Sequence, residues 1–388
     1  MARIGFLLTR TAWNDRRQYH RQGPALLAEG HRVVYLAGIP ETGLDYGYEA
    51  VPLSSAERKV AGLTGGLNLL RKIARARLDV LQICSVELVP LGIAAKLLKL
   101  TKVVYDCRED MPSAMRHHKP RFPTPVRIGL SLMTRLVETI GDQLFDGLVT
   151  ADPATAGLHR HMAADRKVVF YNVAPMRHFP VDGPALAERE FDVAIVGSMS
   201  PRTGTLDVIR TVALLRDRGM RLKVLIVGKQ IEGPFPDTMR DLIDELDLKD
   251  QFQWRGPVDH LEVPKLLYNT RIGIVSWHNY TKFQHNIAAK ALEFVAARMV
   301  TVATDLPSQR VFLKHDHNAM LYAPGNVEEL ARVLSSLLHD LKTAQRLADQ
   351  ARHDFLSTWN LDRIKNSYTG LYERLTREPH GLLVETVR

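Results

Sequence analysis

Two ionisable residues, Lys290 and Glu293, stand one helical turn apart at the start of a predicted helix. The helix is predicted from apolar residues on one face, Ile287, Ala291, Phe294 and Val295. It leads into the β-branched run 300–302, which predicts a buried strand. Ligands of parallel α/β sheets gather outside the carboxyl ends of the strands, where helix N-termini offer N–H groups to phosphates. The spacing predicts that Lys290 binds a phosphate and Glu293 a ribose hydroxyl; the alternative is a solvated ion pair.

A second polar segment, 197–204, follows a predicted strand and opens a predicted helix. Its backbone N–H groups and the Arg202 guanidinium are suited to binding a diphosphate. The alternative is an ordinary polar turn between a strand and a helix. In the first half of the chain, Asp106, Arg108 and Glu109 cluster at the end of another predicted strand, which suits a site better than a core. The Arg108 guanidinium is suited to an acidic sugar or a phosphate, with plain surface exposure as the alternative.

Composition indicates a globular protein of two or three domains, since the chain has 388 residues with 45% hydrophobic and 24% charged content. The longest apolar stretch, 80–105, is interrupted by charged residues, so no bilayer span is predicted. The opening residues are predicted to be a first strand and not a secretory signal. Two cysteines are too few for a disulfide framework or a cysteine-based metal site. We therefore expect a cytoplasmic protein, with peripheral contact at the inner face of the cell membrane left open.

The formal net charge of +9 favours an anionic partner: a phosphorylated substrate, an acidic membrane surface or nucleic acid. Positive charge is concentrated in 70–77, predicted as the exposed face of an amphipathic helix, and in 116–127, predicted as a loop. The loop could hold an acidic acceptor or rest on anionic lipid. No nucleic-acid-binding signature is present, so no nucleic-acid partner is expected.

Strands and helices alternate in both halves of the chain, which predicts parallel sheets. The predicted strands are 3–8, 31–36, 80–84, 102–106, 147–150, 167–170, 191–197, 223–228, 252–256, 272–275, 299–303 and 319–322. The predicted domains are an N-terminal domain 1–175, a linker 176–190, a C-terminal domain 191–360, and a final helical segment 361–388 packing back on the first domain. The helix predicted at 127–145 has an apolar stripe that is expected to be buried, Leu130, Leu132, Met133, Leu136, Ile140 and Leu144.

Over about residues 1–375, the order of these motifs resembles the GT-B glycosyltransferases, and within them the retaining enzymes of family 4. The segments that carry the resemblance are 14–17 with 30–33, 104–110, 196–204, and 290–307. The resemblance implies two Rossmann-like domains facing each other across a cleft. It also implies transfer of a hexose-type sugar from a nucleotide-diphosphate sugar, with the donor on the second domain and the acceptor on the first. A UDP-sugar is the default donor, and the acceptor is a small molecule, a lipid-linked molecule or a glycan.

The resemblance also implies roles for individual residues. Glu293 matches the second glutamate of the family's paired-glutamate motif, whereas the first falls at His285. Arg108 stands where the family commonly has a sugar-contacting histidine. The predicted donor-binding residues are Gly197, Ser198, Arg202, Lys229, Arg255, His285, Lys290 and Glu293. Many relatives have glycines in the loop after the first strand; their absence here assigns that loop to the acceptor, with Asp15, Arg16 and Arg17, and by location His20, His117 and His118.

The favoured mechanism is front-face substitution with retention, in which fixed cations stabilise the departing diphosphate. The predicted catalytic residues are Asp106, Arg108, Glu109, Arg202 and Lys229. No Asp-x-Asp motif is evident, so neither a metal nor a resident cofactor is expected. If the enzyme inverts, Asp106, Glu109 or His20 should act as general base. A non-catalytic nucleotide-sugar-binding protein and a nucleotide-sugar epimerase are the alternative functions.

Overall fold

The computed structural model describes residues 1–377 apart from 11, 40–43, 59–62, 118–121, 175, 180–182, 229–234 and 260–261. The chain forms two compact units. The first contains residues 1–172 and the C-terminal segment from 364 onward, and the second contains residues 173–363.

A seven-stranded sheet forms the centre of the first unit. Its strands are β1 (Arg3–Leu7), β2 (Arg32–Ala37), β3 (Glu49–Pro52), β4 (Val80–Ile83), β5 (Lys102–Cys107), β6 (Gly147–Thr150) and β7 (Lys167–Val169). They pair in the order β3-β2-β1-β4-β5-β6-β7, and every pairing is parallel. The predicted strands of this half are confirmed. Strand β3 was missed because it is short and lies at the edge of the sheet.

A six-stranded parallel sheet forms the centre of the second unit. Its strands are β8 (Phe191–Val196), β9 (Val224–Val227), β10 (Phe252–Trp254), β11 (Thr270–Val275), β12 (Val300–Thr304) and β13 (Met320–Tyr322). They pair in the order β10-β9-β8-β11-β12-β13. All residues of β9 and β12 are buried, as expected for parallel strands covered by helices on both faces. The predicted strands of this half are confirmed.

Helices connect the strands of both sheets. The first unit contains α1 (Gly23–Ala28), α2 (Ser55–Arg58), α3 (Leu63–Ala76), α4 (Val89–Leu97), α5 (Met111–His117), α6 (Thr124–Leu144) and α7 (Pro153–Leu158). The second contains α8 (Thr205–Asp217), α9 (Phe235–Glu245), α10 (Val263–Tyr268), α11 (Thr281–His285), α12 (Ala289–Ala296), α13 (Pro307–Arg310), α14 (Val327–His339) and α15 (Leu341–Asp354). The final helix is α16 (Leu361–Arg377). Two π-helical segments, Gln18–Gln22 and Phe355–Trp359, precede α1 and α16.

Helix α16 packs on the first unit through its tyrosines. The hydroxyl groups of Tyr368 and Tyr372 both donate to the buried side-chain oxygen of Gln82 on β4, and the Tyr368 ring packs on Phe170. The segment 176–190, predicted as a linker, lies in the second unit. There Leu186 belongs to the hydrophobic core.

Helix α6 contradicts its sequence-based prediction. Leu132, Met133, Leu136 and Ile140, expected in the core, are exposed, whereas Glu138, Gly141 and Asp142 are buried. Most of the predicted apolar stripe therefore faces solvent, whereas Leu144 packs against the core. Among the described residues, no helix has the length and apolar character needed to cross a membrane.

Candidate functional site

The strand order of the second sheet reverses between β8 and β11. These two strands are parallel neighbours, and their connections lead to α8 and α12. In open α/β sheets, the crevice at such a switch point is where ligands bind. The segments that the sequence singled out, 197–204 and the start of α12, follow these two strands.

The connection from β8 to α8 is built around Gly204. This residue has φ of +66°, and a Cβ there would lie 1.9 Å from the carbonyl oxygen of Ser276 at the end of β11. The Ser276 hydroxyl donates to the carbonyl of Thr203 at 2.7 Å, and the N–H of His278 donates to the carbonyl of Arg202 at 3.0 Å. No side chain caps the N-terminus of α8. Hydrogen bonds to the backbone carbonyls of Arg202 and Thr203 therefore hold the two connections together. They lie next to a helix end that suits an anion.

Glycines also follow β8, β9 and β10. A Cβ on Gly228 would lie 2.0 Å from the carbonyl oxygen of Gly197, and the N–H of Gly228 donates to the carbonyl of Gly256 at 2.9 Å. Ser198 and Arg255 are exposed beside these glycines. Because glycine has no side chain, the backbone is accessible at this edge of the sheet, and a ligand can approach it closely.

Two cations of the second unit lie over aromatic rings of the β11–α12 connection. The Arg202 guanidinium is 5.4 Å from the centre of the Tyr280 ring, and the Lys290 ammonium nitrogen is 5.9 Å from that of Trp277. Trp277 itself stacks on Phe283 with ring centres 4.4 Å apart. Cation–π contacts hold such groups in position without neutralising their charge.

Lys290 and Glu293 lie on α12, whose N-terminus also has no side-chain cap. Burial lowers the pKa of Lys290 to about 8, and the nearby Glu293 carboxylate acts in the opposite direction. Glu293 is buried, with 7% of its surface exposed. The pair is therefore not the solvated surface ion pair of the alternative interpretation. Of the other predicted donor residues, His285 is exposed at the end of α11, and Lys229 lies outside the described residues.

In the first unit, Arg17 and Asp106 form a buried ion pair. The Arg17 Nε donates to both carboxylate oxygens of Asp106 at 3.0 Å, and its terminal nitrogens donate to the carbonyls of Thr150 and Phe170. The side chains are 3% and 0% exposed, respectively. The amides of Gln18 and Gln22 also donate to Asp106. Both groups are therefore used to join the ends of β5, β6 and β7. The catalytic role of Asp106 and the acceptor-binding role of Arg17 stay predictions.

Arg108 forms a second, less buried ion pair with Asp15. Its two terminal nitrogens donate to the carboxylate at 3.0 and 2.9 Å, and it also donates to Gln18. Burial alone would raise the pKa of Asp15, but the Arg108 charge and hydrogen bonds hold it below its ordinary value. The structure thus unites Asp15 and Arg108, which the sequence assigned to two separate roles.

The other predicted residues of the first unit lie in different environments. Arg16 is exposed and Glu109 is half-buried. His20 is buried, with its Nδ1 3.1 Å from the Tyr46 hydroxyl in a group of tyrosine rings. This packing favours a structural role for His20. The His117 side chain and all of His118 lie outside the described part of the chain.

Within the described residues, one group of three side chains brings potential metal-ligand atoms close together. These atoms of Cys107, Glu138 and His159 lie within 4.8 Å of one another, and all three residues are buried. Hydrogen bonds link Tyr105 to Glu138 and His159 to Asp142. Burial raises the pKa of Glu138 to about 7. This group belongs to the first unit, whereas the predicted donor residues belong to the second.

Sequence reasoning missed several residues that position these groups. Gln18 and Gln22 recur at i and i+4 in the π-helical segment, which would place them on one face of a helix. Trp277 and Tyr280 follow the apolar run of β11, and two aromatic residues so close to a strand end were the available signal.

Together these features define an α/β protein with two parallel-sheet units, which is the GT-B fold of glycosyltransferases. Residues 182–354 match the family model described as glycosyl transferases group 1. The matched residues lie within the second unit. A curated protein of Bacillus subtilis (strain 168), the uncharacterized glycosyltransferase YqgM, is 25% identical over 179 residues. The aligned part is 46% of this chain and 48% of that protein, so the match spans about half of the relative's length.

Solved structures share the fold over nearly the whole chain. A sucrose-phosphate synthase from Thermosynechococcus elongatus has a TM-score of 0.73 at 15% identity, covering 97% of this chain and 100% of its own. A glycosyltransferase from Rickettsia africae has a TM-score of 0.73 at 15% identity, covering 97% and 99%. HepE of Anabaena, in complex with UDP, has a TM-score of 0.69 at 13% identity, covering 97% and 100%. At these identities, the likeness confirms the predicted α/β fold with two parallel sheets.

Proposed function

We propose that the protein transfers a hexose-type sugar from a nucleotide-diphosphate sugar to a hydroxyl acceptor. The observation that carries this proposal is the switch point of the second sheet, where uncapped ends of α8 and α12 occur with Arg202 and Lys290. Helix ends and fixed cations are the features that bind a diphosphate. The family match of residues 182–354 supports transfer of a sugar. The complexes of HepE with UDP and with UDP-glucose support a uridine nucleotide.

In the proposed donor site, the diphosphate binds the backbone N–H groups at the start of α8 and the Arg202 guanidinium. Lys290 binds a phosphate oxygen, and Glu293 accepts a hydrogen bond from a ribose hydroxyl. The exposed backbone around Gly256 contacts the base. Because Arg202 and Lys290 are held over aromatic rings, little reorganisation is needed when charge develops on the leaving group.

The proposed reaction is front-face substitution. The bond between the anomeric carbon and the diphosphate oxygen breaks, and the acceptor oxygen bonds to the same face of that carbon. The acceptor proton passes to the departing phosphate oxygen. This route needs no enzymic nucleophile, and we include no metal and no resident cofactor in the proposal. It is consistent with the first unit, where Asp106 is fully engaged with Arg17 and two glutamine amides.

The acceptor is proposed to bind the first unit, near the Asp15–Arg108 pair and the exposed Arg16. It is a small molecule, a lipid-linked molecule or a glycan with a hydroxyl group. The reaction is proposed to take place in the cytoplasm.

Isothermal titration with UDP, GDP and ADP tests the donor site. We expect UDP to bind, and Arg202→Ala and Lys290→Ala to weaken binding roughly 10- to 100-fold, the size of a lost charge-assisted hydrogen bond. Arg210→Ala is the matched control, because Arg210 is an exposed arginine of α8 that bonds to Asp207. Equal binding by all four proteins would exclude this donor site.

Turnover distinguishes an enzyme from a nucleotide-sugar-binding protein. UDP-glucose is incubated with a panel of hydroxyl acceptors, and the product is followed by proton NMR. An α-glycoside from the α-linked donor supports retention, whereas a β-glycoside indicates inversion. Tight donor binding with no consumption of any nucleotide sugar supports the non-catalytic alternative, and a free epimerised nucleotide sugar supports the epimerase.

A further inference from the structure

The outer face of α6 carries a row of large apolar side chains in contact with solvent. Leu132, Met133 and Leu136 are 66%, 60% and 61% exposed, and Ile140 is 39% exposed. Val126, one turn into the same helix, is 45% exposed. Positions 126, 133, 136 and 140 recur at intervals of three, four or seven, so they lie on one side of the helix. An exposed apolar surface of this kind marks an interaction site.

The opposite face of α6 is the one that packs on the protein. Ser131 donates to the carbonyl of Pro112 on α5 at 2.8 Å. Glu138 accepts a hydrogen bond from Tyr105, and Asp142 lies 2.7 Å from His159. Both carboxylates of α6 are therefore turned inward, and its leucines are turned outward. Packing of α6 within its own unit does not account for the apolar row.

Positive charge borders this apolar face. Arg135 belongs to α6, and Arg116 is exposed near the end of α5, which packs against α6. The Arg135 Nη2 lies 4.0 Å from the Asp110 Oδ1, a long ion-pair distance, and the Arg135 side chain is 41% exposed. Since the acidic groups of the helix itself are buried, its outer surface combines apolar and basic side chains.

We propose that the outer face of α6 docks on an anionic lipid bilayer. An amphipathic helix with an apolar face and flanking arginines lies in the interfacial plane, with its apolar side chains among the acyl chains and its cations near the head groups. At 21 residues, α6 is about 31 Å long, enough to form one continuous contact. The proposal is independent of the donor site of the second unit.

A bilayer suits this surface better than a second copy of the chain. In a two-fold dimer, the same patch lies on both sides, so the arginines would face like charges, and α6 has no outward carboxylate to pair with them. Anionic head groups supply the complementary charge. The proposed partner of the outer face of α6 is therefore a lipid surface.

Co-sedimentation of the full chain with vesicles tests the proposal. The vesicles contain either phosphatidylcholine alone or equal parts of phosphatidylcholine and phosphatidylglycerol. We expect partition to the anionic vesicles to be at least about tenfold stronger, and to fall in 0.5 M salt as the arginine contribution is screened. The variant Leu132→Gln/Leu136→Gln should lose at least about tenfold in partition. Arg116→Gln/Arg135→Gln should lose most of the preference for anionic vesicles.

The matched control is Val311→Gln/Leu356→Gln, which changes two exposed apolar residues of the second unit. It should bind vesicles like the unmodified protein. Thermal unfolding checks that each variant is folded, which is expected because the changed side chains are exposed. No partition of the unmodified protein to anionic vesicles, or equal partition of the leucine variant, would overturn the proposal. A dimer seen by light scattering that dissociates in the leucine variant, without vesicle binding, would assign the face to a second copy.

Discussion

The carboxyl ends of the strands in the two units hold their cations in different ways. In the first unit, Arg17 and Arg108 each donate to both carboxylate oxygens of an aspartate. In the second unit, Arg202 and Lys290 lie over the rings of Tyr280 and Trp277. Burial lowers the pKa of Lys290, whereas the pKa of Arg108 is raised because Asp15 outweighs the effect of burial. The charge of Arg108 is thus largely compensated within the protein, and that of Lys290 is less so.

From this difference we expect a structural network in the first unit and a binding site in the second. A buried ion pair with all its hydrogen bonds made has little capacity left for a ligand, and its removal mainly affects stability. A cation whose charge is incompletely compensated gains from an arriving anion. Both units have a basic residue and an acidic residue near a strand end. We therefore expect the pair to stabilise the fold in the first unit and to bind a ligand in the second.

The largest expected effect is on the buried pair of the first unit. Arg17→Gln leaves the Asp106 carboxylate without its cation, and we expect the free energy of unfolding to fall by roughly 3–5 kcal/mol. The thermal midpoint should decrease by roughly 6–20 °C. Differential scanning calorimetry measures both. Arg16→Gln, an exposed neighbour, is the control; if Arg17 instead bound the acceptor, its variant would keep full stability and lose only transfer.

A smaller effect is expected where the β8–α8 and β11–α12 connections of the second unit meet. Gly204→Ala introduces a Cβ at positive φ that would lie 1.9 Å from the Ser276 carbonyl, so the junction must shift. We expect a loss of roughly 1–3 kcal/mol in stability and weaker UDP binding. Gly219→Ala is the matched control, because Gly219 also has positive φ but open space around its Cβ position. Identical losses in the two variants would show that steric contact with Ser276 contributes nothing.

The smallest effect concerns pH. Because the pKa of Lys290 is about 8, its ammonium group is mostly protonated at pH 7 and mostly neutral at pH 9. If phosphate binding requires the charged form, the apparent dissociation constant of UDP should rise about tenfold from pH 7 to pH 9. Titration calorimetry in matched buffers measures this change. Lys290→Arg stays charged and should remove it, and an unchanged slope in that variant would assign the titration to another group.

Local patterns in the sequence predicted the framework of both units. Buried parallel strands appear as apolar runs, so the positions of β8 to β13 could be assigned from the chain alone. Gly30 follows α1 and has φ of +78°, which is the left-handed conformation common for a glycine after a helix. The spacing of Lys290 and Glu293 is likewise a local property of one helix. Strand β3, at 49–52, has no such run and was missed.

Helix α6 shows the limit of periodicity. A repeat near 3.6 residues indicates that a helix has two different faces, but the inward one is chosen by its neighbours. Here Tyr105 forms a hydrogen bond with Glu138, and His159 forms one with Asp142. The acidic face therefore turns inward and the leucines turn outward. The sequence contained the stripe, yet the direction in which it points depends on residues from β5 and from just after α7.

The sequence by itself determined the two alternating α/β halves, the strand positions and the residues that follow each strand. These depend on side-chain periodicity and turn chemistry, which act over a few neighbouring residues. Only the tertiary structure decided which cations are compensated and which face of α6 meets solvent. Arg17 and Asp106 are 89 positions apart, and they meet because the parallel sheet brings the ends of non-consecutive strands to one edge. Such contacts follow from the packing of the whole unit, so no local pattern in the chain encodes them.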